Sequence, residues 1–349
     1  MTMPDGGVPA PPGADKFEAP KKDRMAFARE VRANPERFFP YIYKPVENSL
    51  YGVRYEALSQ LEDFGFSFDR IATARKEKQL ANKVYIVAGA NPNGIGGATA
   101  EEIVAEGGIV VATSRKSPDD SVAQQMLGRL GEVAPNNKSS WVQMDITKRE
   151  SRNNAIEKVL EKHGRIDGVV LTVGQINDHP YVDLSEDQLI ELYEANLIGP
   201  DMFLHGLAKY VQKVGGVLKA VEHATIAGPG NKDQGSYPGA KEAMNSRMRG
   251  LSMEGLTRKL TGETNYDLYA NSLSIGFVAN TELTQGVTFS EGRRISRDIG
   301  GVRLLERAEV AVATAWLLNP DVMVNGRVIP MVPQQPFVGL DERGLLKVA

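Results

Sequence analysis

The sequence KVYIVAGANPNGIGG at residues 83–97 passes from a continuous apolar run into a glycine-rich loop and then into a helical pattern. An apolar run with no polar alternation is the mark of a strand covered on both faces, as parallel strands are in α/β sheets. Gly89, Gly94 and Gly96 let the backbone turn tightly and lie close to another molecule. The helix that follows presents its N-terminal N–H groups to whatever occupies the turn. A pyrophosphate suits such a loop, with Gly89, Asn91, Gly94, Ile95 and Gly96 as its contacts; a purely structural turn is the plainer alternative.

The same alternation runs on toward the C-terminus. IVVAT (109–113), WVQM (141–144), GVVLTV (168–173), GVLKAVEH (216–223), LYANSLSI (268–275) and RVIPMV (327–332) read as strands. Helices are expected over about 148–163, from near Tyr237 onward and around AEVAVATAWLL (308–318). Strands separated by helices predict one Rossmann-type α/β domain over residues 83–335, a doubly wound seven-stranded parallel sheet. Upstream, residues 1–20 are rich in Pro and Gly and are expected to form a flexible tail. Residues 21–82 predict a helical extension of short, charged, Ala-containing segments around an aromatic knot of Phe38, Phe39, Tyr41 and Tyr43. Helices that short need a surface to pack on. Residues 336–349 are read as a C-terminal tail.

Composition narrows the chemistry. Hydrophobic residues at 42% and charged residues at 24% are ordinary globular values over 349 residues, so a sizeable core is expected. The formal net charge of -3 gives no field that would recruit nucleic acid or an anionic membrane. No stretch reads as a signal peptide or membrane span, and the expectation is a cytoplasmic protein. With no cysteine, thiolate chemistry is absent, and the four histidines (His163, His179, His205, His223) are scattered, so no metal site is expected.

The strand ending Thr113-Ser114-Arg115-Lys116 places a guanidinium where an acid would ordinarily meet ribose hydroxyls. Ser114 and Arg115 therefore point to a 2′-phosphate, and to NADP(H) over NAD(H). Asp145, with Ile146 after it, is placed either to accept from an adenine amino group or to cap a helix. Val173 and Gly174 bring backbone close to the cofactor at another strand end. Tyr237 and Lys241 stand four apart, on one face of a helix. Hydride delivered to a carbonyl leaves an alkoxide that needs a proton, and a phenol with an ammonium beside it is a fitting donor.

Gly89 to Gly96, Gly174, Asn196 in EANLIG, Thr225 in ATIAG, Tyr237-x-x-x-Lys241 and SIGFVANT together resemble the short-chain dehydrogenase/reductase family over about residues 83–332. The resemblance implies an Asn, Ser, Tyr and Lys tetrad. Tyr237 matches the proton donor, Lys241 its partner and ribose anchor, and Asn196 the residue that kinks a helix and holds a water. Thr225 stands where the family has Ser. It retains the hydroxyl that orients a carbonyl, while its methyl narrows the pocket. Gly276 and Val278 match positions that line the cofactor. Two segments depart from the family pattern: LTVG at 171–174 in place of Asn-Asn-Ala-Gly, and Ile275-Gly276 in place of Pro-Gly.

The glycine loop with its extra residue, VVATSR and the 12-residue step from Thr225 to Tyr237 are similar to the ketoreductase domains of type I fatty acid synthases. That likeness implies a 3-oxoacyl thioester on an acyl carrier protein or coenzyme A as substrate, and a homodimer or homotetramer as assembly. An enoyl thioester reductase and a noncatalytic NADP-binding protein of the same fold are the alternatives. Residues 286–300, with Arg293, Arg294 and Arg297, are expected to form a lid over the acyl chain.

Overall fold

The computed structural model describes residues 64–66, 69–176, 179–226, 234, 236–278, 281, 284, 304–332, 338–340 and 346–348. The chain divides into two compact units, Met1–Gly52 and Val53–Ala349, and the architecture below is that of the second. The expected tail, the aromatic knot and the expected lid lie outside the described residues.

Seven strands form one parallel sheet: β1 (Val84–Ala88), β2 (Ile109–Ser114), β3 (Ser140–Gln143), β4 (Gly168–Leu171), β5 (Gly216–Thr225), β6 (Tyr266–Ile275) and β7 (Val328–Met331). Their order is β3-β2-β1-β4-β5-β6-β7. The chain winds outward from β1 to β3 and then returns to the other side of β1. The order therefore reverses between β1 and β4, which is where ligands bind in open sheets of this kind.

Eight helices are described: α1 (Asp69–Glu77), α2 (Ile95–Ala105), α3 (Ser121–Val133), α4 (Arg149–His163), α5 (Glu186–Tyr193), α6 (Gly199–Val214), α7 (Tyr237–Leu260) and α8 (Arg307–Leu318). In β1, Tyr85 and Val87 enter an apolar layer with Ile103 of α2, Met126 of α3 and Trp316 of α8. Val84, Ile86 and Ala88 enter the opposite layer with Val159 of α4, Phe203 of α6 and Met244 of α7. All five side chains of β1 are buried, which is why the run carries no polar alternation.

The described end of the expected helical extension joins this core. Phe66 stands edge-on to Trp316 at 5.6 Å between ring centres, and Arg75 of α1 grips Glu102 of α2 with two hydrogen bonds of 2.8 and 2.6 Å. Burying one such ring contributes about 1.5–3 kcal/mol. Near the C-terminus, β8 (Val338–Leu340) and β9 (Leu346–Val348) pair antiparallel within the segment read as a tail.

Candidate active site

The glycine loop leaves β1 through Gly89, whose φ of +90° lies in the left-handed region. The N–H groups of Gly89 and Ala90 both donate to Thr113 O on β2, at 2.9 and 3.0 Å. Asn91 Oδ1 then accepts from Asn93 N at 2.8 Å, and Gly94 N donates to Asn91 O at 2.9 Å. Gly94 is the N-cap of α2, so Ile95 and Gly96 occupy the first turn, whose N–H groups have no intrahelical acceptor. A Cβ on Gly96 would sit 2.3 Å from Gly89 O and 2.6 Å from the Thr172 methyl; one on Gly97 would sit 2.3 Å from Asn91 O. Loop and helix thus close on each other without side chains between them, and a phosphate group fits against N–H groups held in that way.

Three residues that support the loop were missed in the sequence. Arg129 of α3 donates to Pro92 O at 2.6 Å and to Asn93 Oδ1 at 3.2 Å, and Arg307 of α8 reaches Pro92 O at 3.4 Å. Nothing local marks either arginine. Gly97 did carry a signal, as a further glycine inside a helical pattern.

At the end of β2, Ser114 Oγ accepts from Lys116 N (3.1 Å), and Lys116 Nζ lies 3.5 Å from Asp120. Arg115 is exposed beside them. Asp145 is not a helix cap: the N-cap of α4 is Lys148. Its Oδ1 instead closes a turn, accepting from Thr147 N at 3.0 Å and Thr147 Oγ1 at 2.8 Å. Ile146 is buried, and its carbonyl accepts from Arg152 at 2.7 Å. At the end of β6, Gly276 N donates to Met331 O at 2.8 Å, while Val278 is buried and bridges Leu305.

Gly174, Asn196 and Lys241 meet past the end of β4. A Cβ on Gly174 would be 2.6 Å from Asn196 Oδ1 and 3.4 Å from Lys241 Cε. Asn196 sits in a π-helical turn, Glu194–Ile198, where its Nδ2 donates to Leu192 O (2.9 Å) and to Gln175 O (2.8 Å) and its Oδ1 accepts from Gln175 N (3.1 Å). The side chain takes over backbone bonding that the widened turn has displaced. Tyr237 is the first residue of α7, half-buried, and Pro238 follows it in the first turn, where a missing N–H costs nothing. Thr225 is the half-buried last residue of β5, and its carbonyl accepts from Ser274 Oγ at 2.9 Å.

Lys241 donates to Val173 O at 3.0 Å, His223 O at 3.0 Å and Glu222 Oε1 at 2.8 Å. Glu222 is completely buried. Burial pulls the Lys241 ammonium down, but the Glu222 carboxylate and then Tyr237 more than reverse that, so it is held above the ordinary lysine value. Burial pushes Glu222 up to about 7, with Lys241 restraining the rise. His223 faces the opposite layer, its Nε2 2.8 Å from Thr314 Oγ1. Thr314 spends its own hydrogen on Val310 O at 2.7 Å, so His223 is the donor and Nδ1 carries the lone pair. Burial, then Lys241, drives its pKa down to about 3.

Glu222 was also missed. Its signal was parity: Leu218 and Ala220 of β5 face the apolar layer of α6 and α7, and Glu222 follows in the same phase.

A glycine loop at the switch point of a doubly wound parallel sheet, with a buried lysine and a tyrosine across the crevice, defines a dinucleotide-binding oxidoreductase. Comparison with known proteins gives the family. A family model described as Enoyl-(Acyl carrier protein) reductase matches residues 89–331, and the chain belongs to the short-chain dehydrogenase/reductase family, whose members use nicotinamide cofactors. The chain is 28% identical over 257 residues to an acetoacetyl-CoA reductase of Synechocystis sp., covering 72% of this chain and 95% of that one. It is 23% identical over 244 residues to a 3-oxoacyl-[acyl-carrier-protein] reductase of Haemophilus influenzae, covering 69% and 93%. Among solved structures, levodione reductase shares the fold, with a TM-score of 0.64 at 20% identity over 73% of this chain and 97% of that one. Among the described residues, no helix is long and apolar enough to cross a membrane.

Proposed function

We propose that this protein reduces a 3-oxoacyl thioester to the 3-hydroxyacyl form with NADPH, in the manner of the ketoreductase domains it resembles. The observation that carries the reading is the convergence of Gly174, Asn196 and Lys241 at the strand ends, with Tyr237 close enough to act electrostatically on Lys241. The names of the Synechocystis and Haemophilus relatives support the substrate class.

When bound, the dinucleotide supplies the hydride. Gly89, Asn91, Gly94, Ile95 and Gly96 would hold its pyrophosphate, Ser114 and Arg115 its 2′-phosphate, Asp145 and Ile146 its adenine end. Val173, Gly174, Gly276 and Val278 would line its nicotinamide end, and Lys241 would hold its ribose. Tyr237 gives its phenolic proton to the ketone oxygen as negative charge builds there. Thr225 orients that oxygen through its hydroxyl, and Asn196 holds the water through which the phenol is reprotonated.

The description of the matching family model favours a second reading, reduction of an enoyl thioester. The four-residue spacing of Tyr237 and Lys241 supports the ketone. A cytoplasmic homo-oligomer completes the proposal; exposed Ile198 ahead of α6, Met202 on α6, and Met253, Leu256 and Leu260 on α7 support the assembly.

The test is NADPH consumption with a short 3-oxoacyl thioester and, separately, with the matching enoyl thioester, for the native protein and Tyr237→Phe. Turnover of the oxoacyl compound alone, lost in the variant, is the expected result. Turnover of the enoyl compound alone would move the assignment to the second reading.

A further inference from the structure

The proposed chemistry asks Lys241 both to hold ribose hydroxyls and to polarise Tyr237, yet an ammonium has three hydrogens to give. All three are committed within the protein, to Val173 O, His223 O and Glu222 Oε1. The carboxylate at 2.8 Å also offsets the charge that Lys241 would exert on the phenol.

Glu222 has no part in the reaction as drawn, and its place is a costly one for an acid. Its register partners are Leu171 on β4 and Ser272 on β6, in an apolar layer. Burying an ion pair there costs desolvation of both members, which an apolar pair would avoid. The pairing is also incomplete: Glu222 Oε2 has no hydrogen-bond partner among the described residues, and neither has the buried Oγ of Ser272 alongside. A carboxylate held by one cation on one oxygen is easily turned into a neutral acid once that cation leaves.

We propose, building on the reductase reading above, that Glu222 is a positioning residue for Lys241. It holds the ammonium back in the three-fold bonded arrangement described above, and it takes up a proton from solvent when a dinucleotide draws Lys241 to its ribose. The proton goes to the carboxylate of Glu222, because a fully buried carboxylate that has lost its cation cannot stay charged. Dinucleotide binding and proton uptake are then linked, and binding weakens as the pH rises above neutrality.

The groups facing this carboxylate limit other sources of such a slope. On α7 they are Lys241 and, through it, Tyr237; β4 offers apolar Leu171 and β6 offers Ser272. His223 on the same strand faces the other layer and stays neutral at these pH values.

The experiment is the Kd for NADPH, followed by NADPH fluorescence from about pH 7 to about pH 9, above the range where a phosphate monoester titrates. In the native protein the Kd should rise by up to about tenfold per pH unit. Glu222→Gln should bind with a flat profile, and Tyr237→Phe should keep the slope. A flat native profile, or a slope that survives in Glu222→Gln, overturns the inference while leaving the reductase reading standing. Failure to bind NADPH at any pH overturns both. Should Glu222→Gln fail to fold, titration calorimetry of the native protein in two buffers of different ionisation enthalpy at about pH 8 decides. Uptake of up to about one proton per NADPH is expected, and no uptake, or release, overturns the proposal.

Discussion

The two halves of the crevice are built from different materials. On the β1–β2 side the work falls to backbone: Gly89 turns in a left-handed conformation, two N–H groups share Thr113 O, and Gly96 and Gly97 let helix and loop touch. On the β5–α7 side it falls to charged side chains in apolar surroundings, Lys241 against Glu222, with His223 neutral on the other face of the sheet. A phosphate needs only fixed dipoles and room, so the first half has no need of buried charge. Proton uptake needs a group whose charge can change near neutrality, and burial is what moves Glu222 there.

The halves therefore fail differently. Tyr237→Phe should lower turnover by about a thousandfold or more, within the range that acid–base groups contribute, with the NADPH Kd unchanged. A parallel loss of binding would break the contrast. Gly96→Ala, whose Cβ would lie 2.3 Å from Gly89 O, should do the reverse. Its NADPH affinity should fall by about a hundredfold, on the order of 3 kcal/mol, while Tyr237 and Lys241 keep their environment.

The charged half also leaves a signature in stability. His223 stays neutral in the folded chain down to about pH 3, whereas the unfolded histidine takes a proton near 6.5. Its contribution is therefore complete above pH 6.5 and is lost as the pH falls through that window. Over the 1.5 units from about pH 6.5 to about pH 5, at about 1.36 kcal/mol each, the loss is about 2 kcal/mol. Glu222 runs the other way, keeping a proton up to about 7 that an unfolded carboxyl releases near 4.5. The unfolding free energy of His223→Gln from urea titration should therefore gain on that of the native protein by about 2 kcal/mol as the pH falls from about 6.5 to about 5. A constant difference would mean that the imidazole titrates normally. The smallest effect is expected at Arg115→Ala, about a tenfold loss of NADPH affinity with NADH binding unchanged. Equal loss for both dinucleotides would sharpen the contrast by removing 2′-phosphate recognition from the backbone-built side.

The glycine-loop half was legible because its constraints are local. Gly89 must reach φ +90°, and Gly96 must lie against Gly89 only a few residues away. The arginines that brace the loop were not legible, since Arg129 and Arg307 bond a carbonyl at Pro92 that any residue would offer. Asp145 shows how a short motif misleads: an acid ahead of a helix suits a cap, but Thr147 claims it and Lys148 holds the cap position.

By itself the sequence determined the parallel sheet, the loop that ends its first strand and the four-residue step from Tyr237 to Lys241. Each is set by periodicity or by what a backbone can do within a few residues. Only the tertiary structure decided what Lys241 touches. Its partners lie 68, 19 and 18 positions away, two of them backbone carbonyls, and the third is an acid that becomes a counter-ion only because strand phase turns it into the same apolar layer.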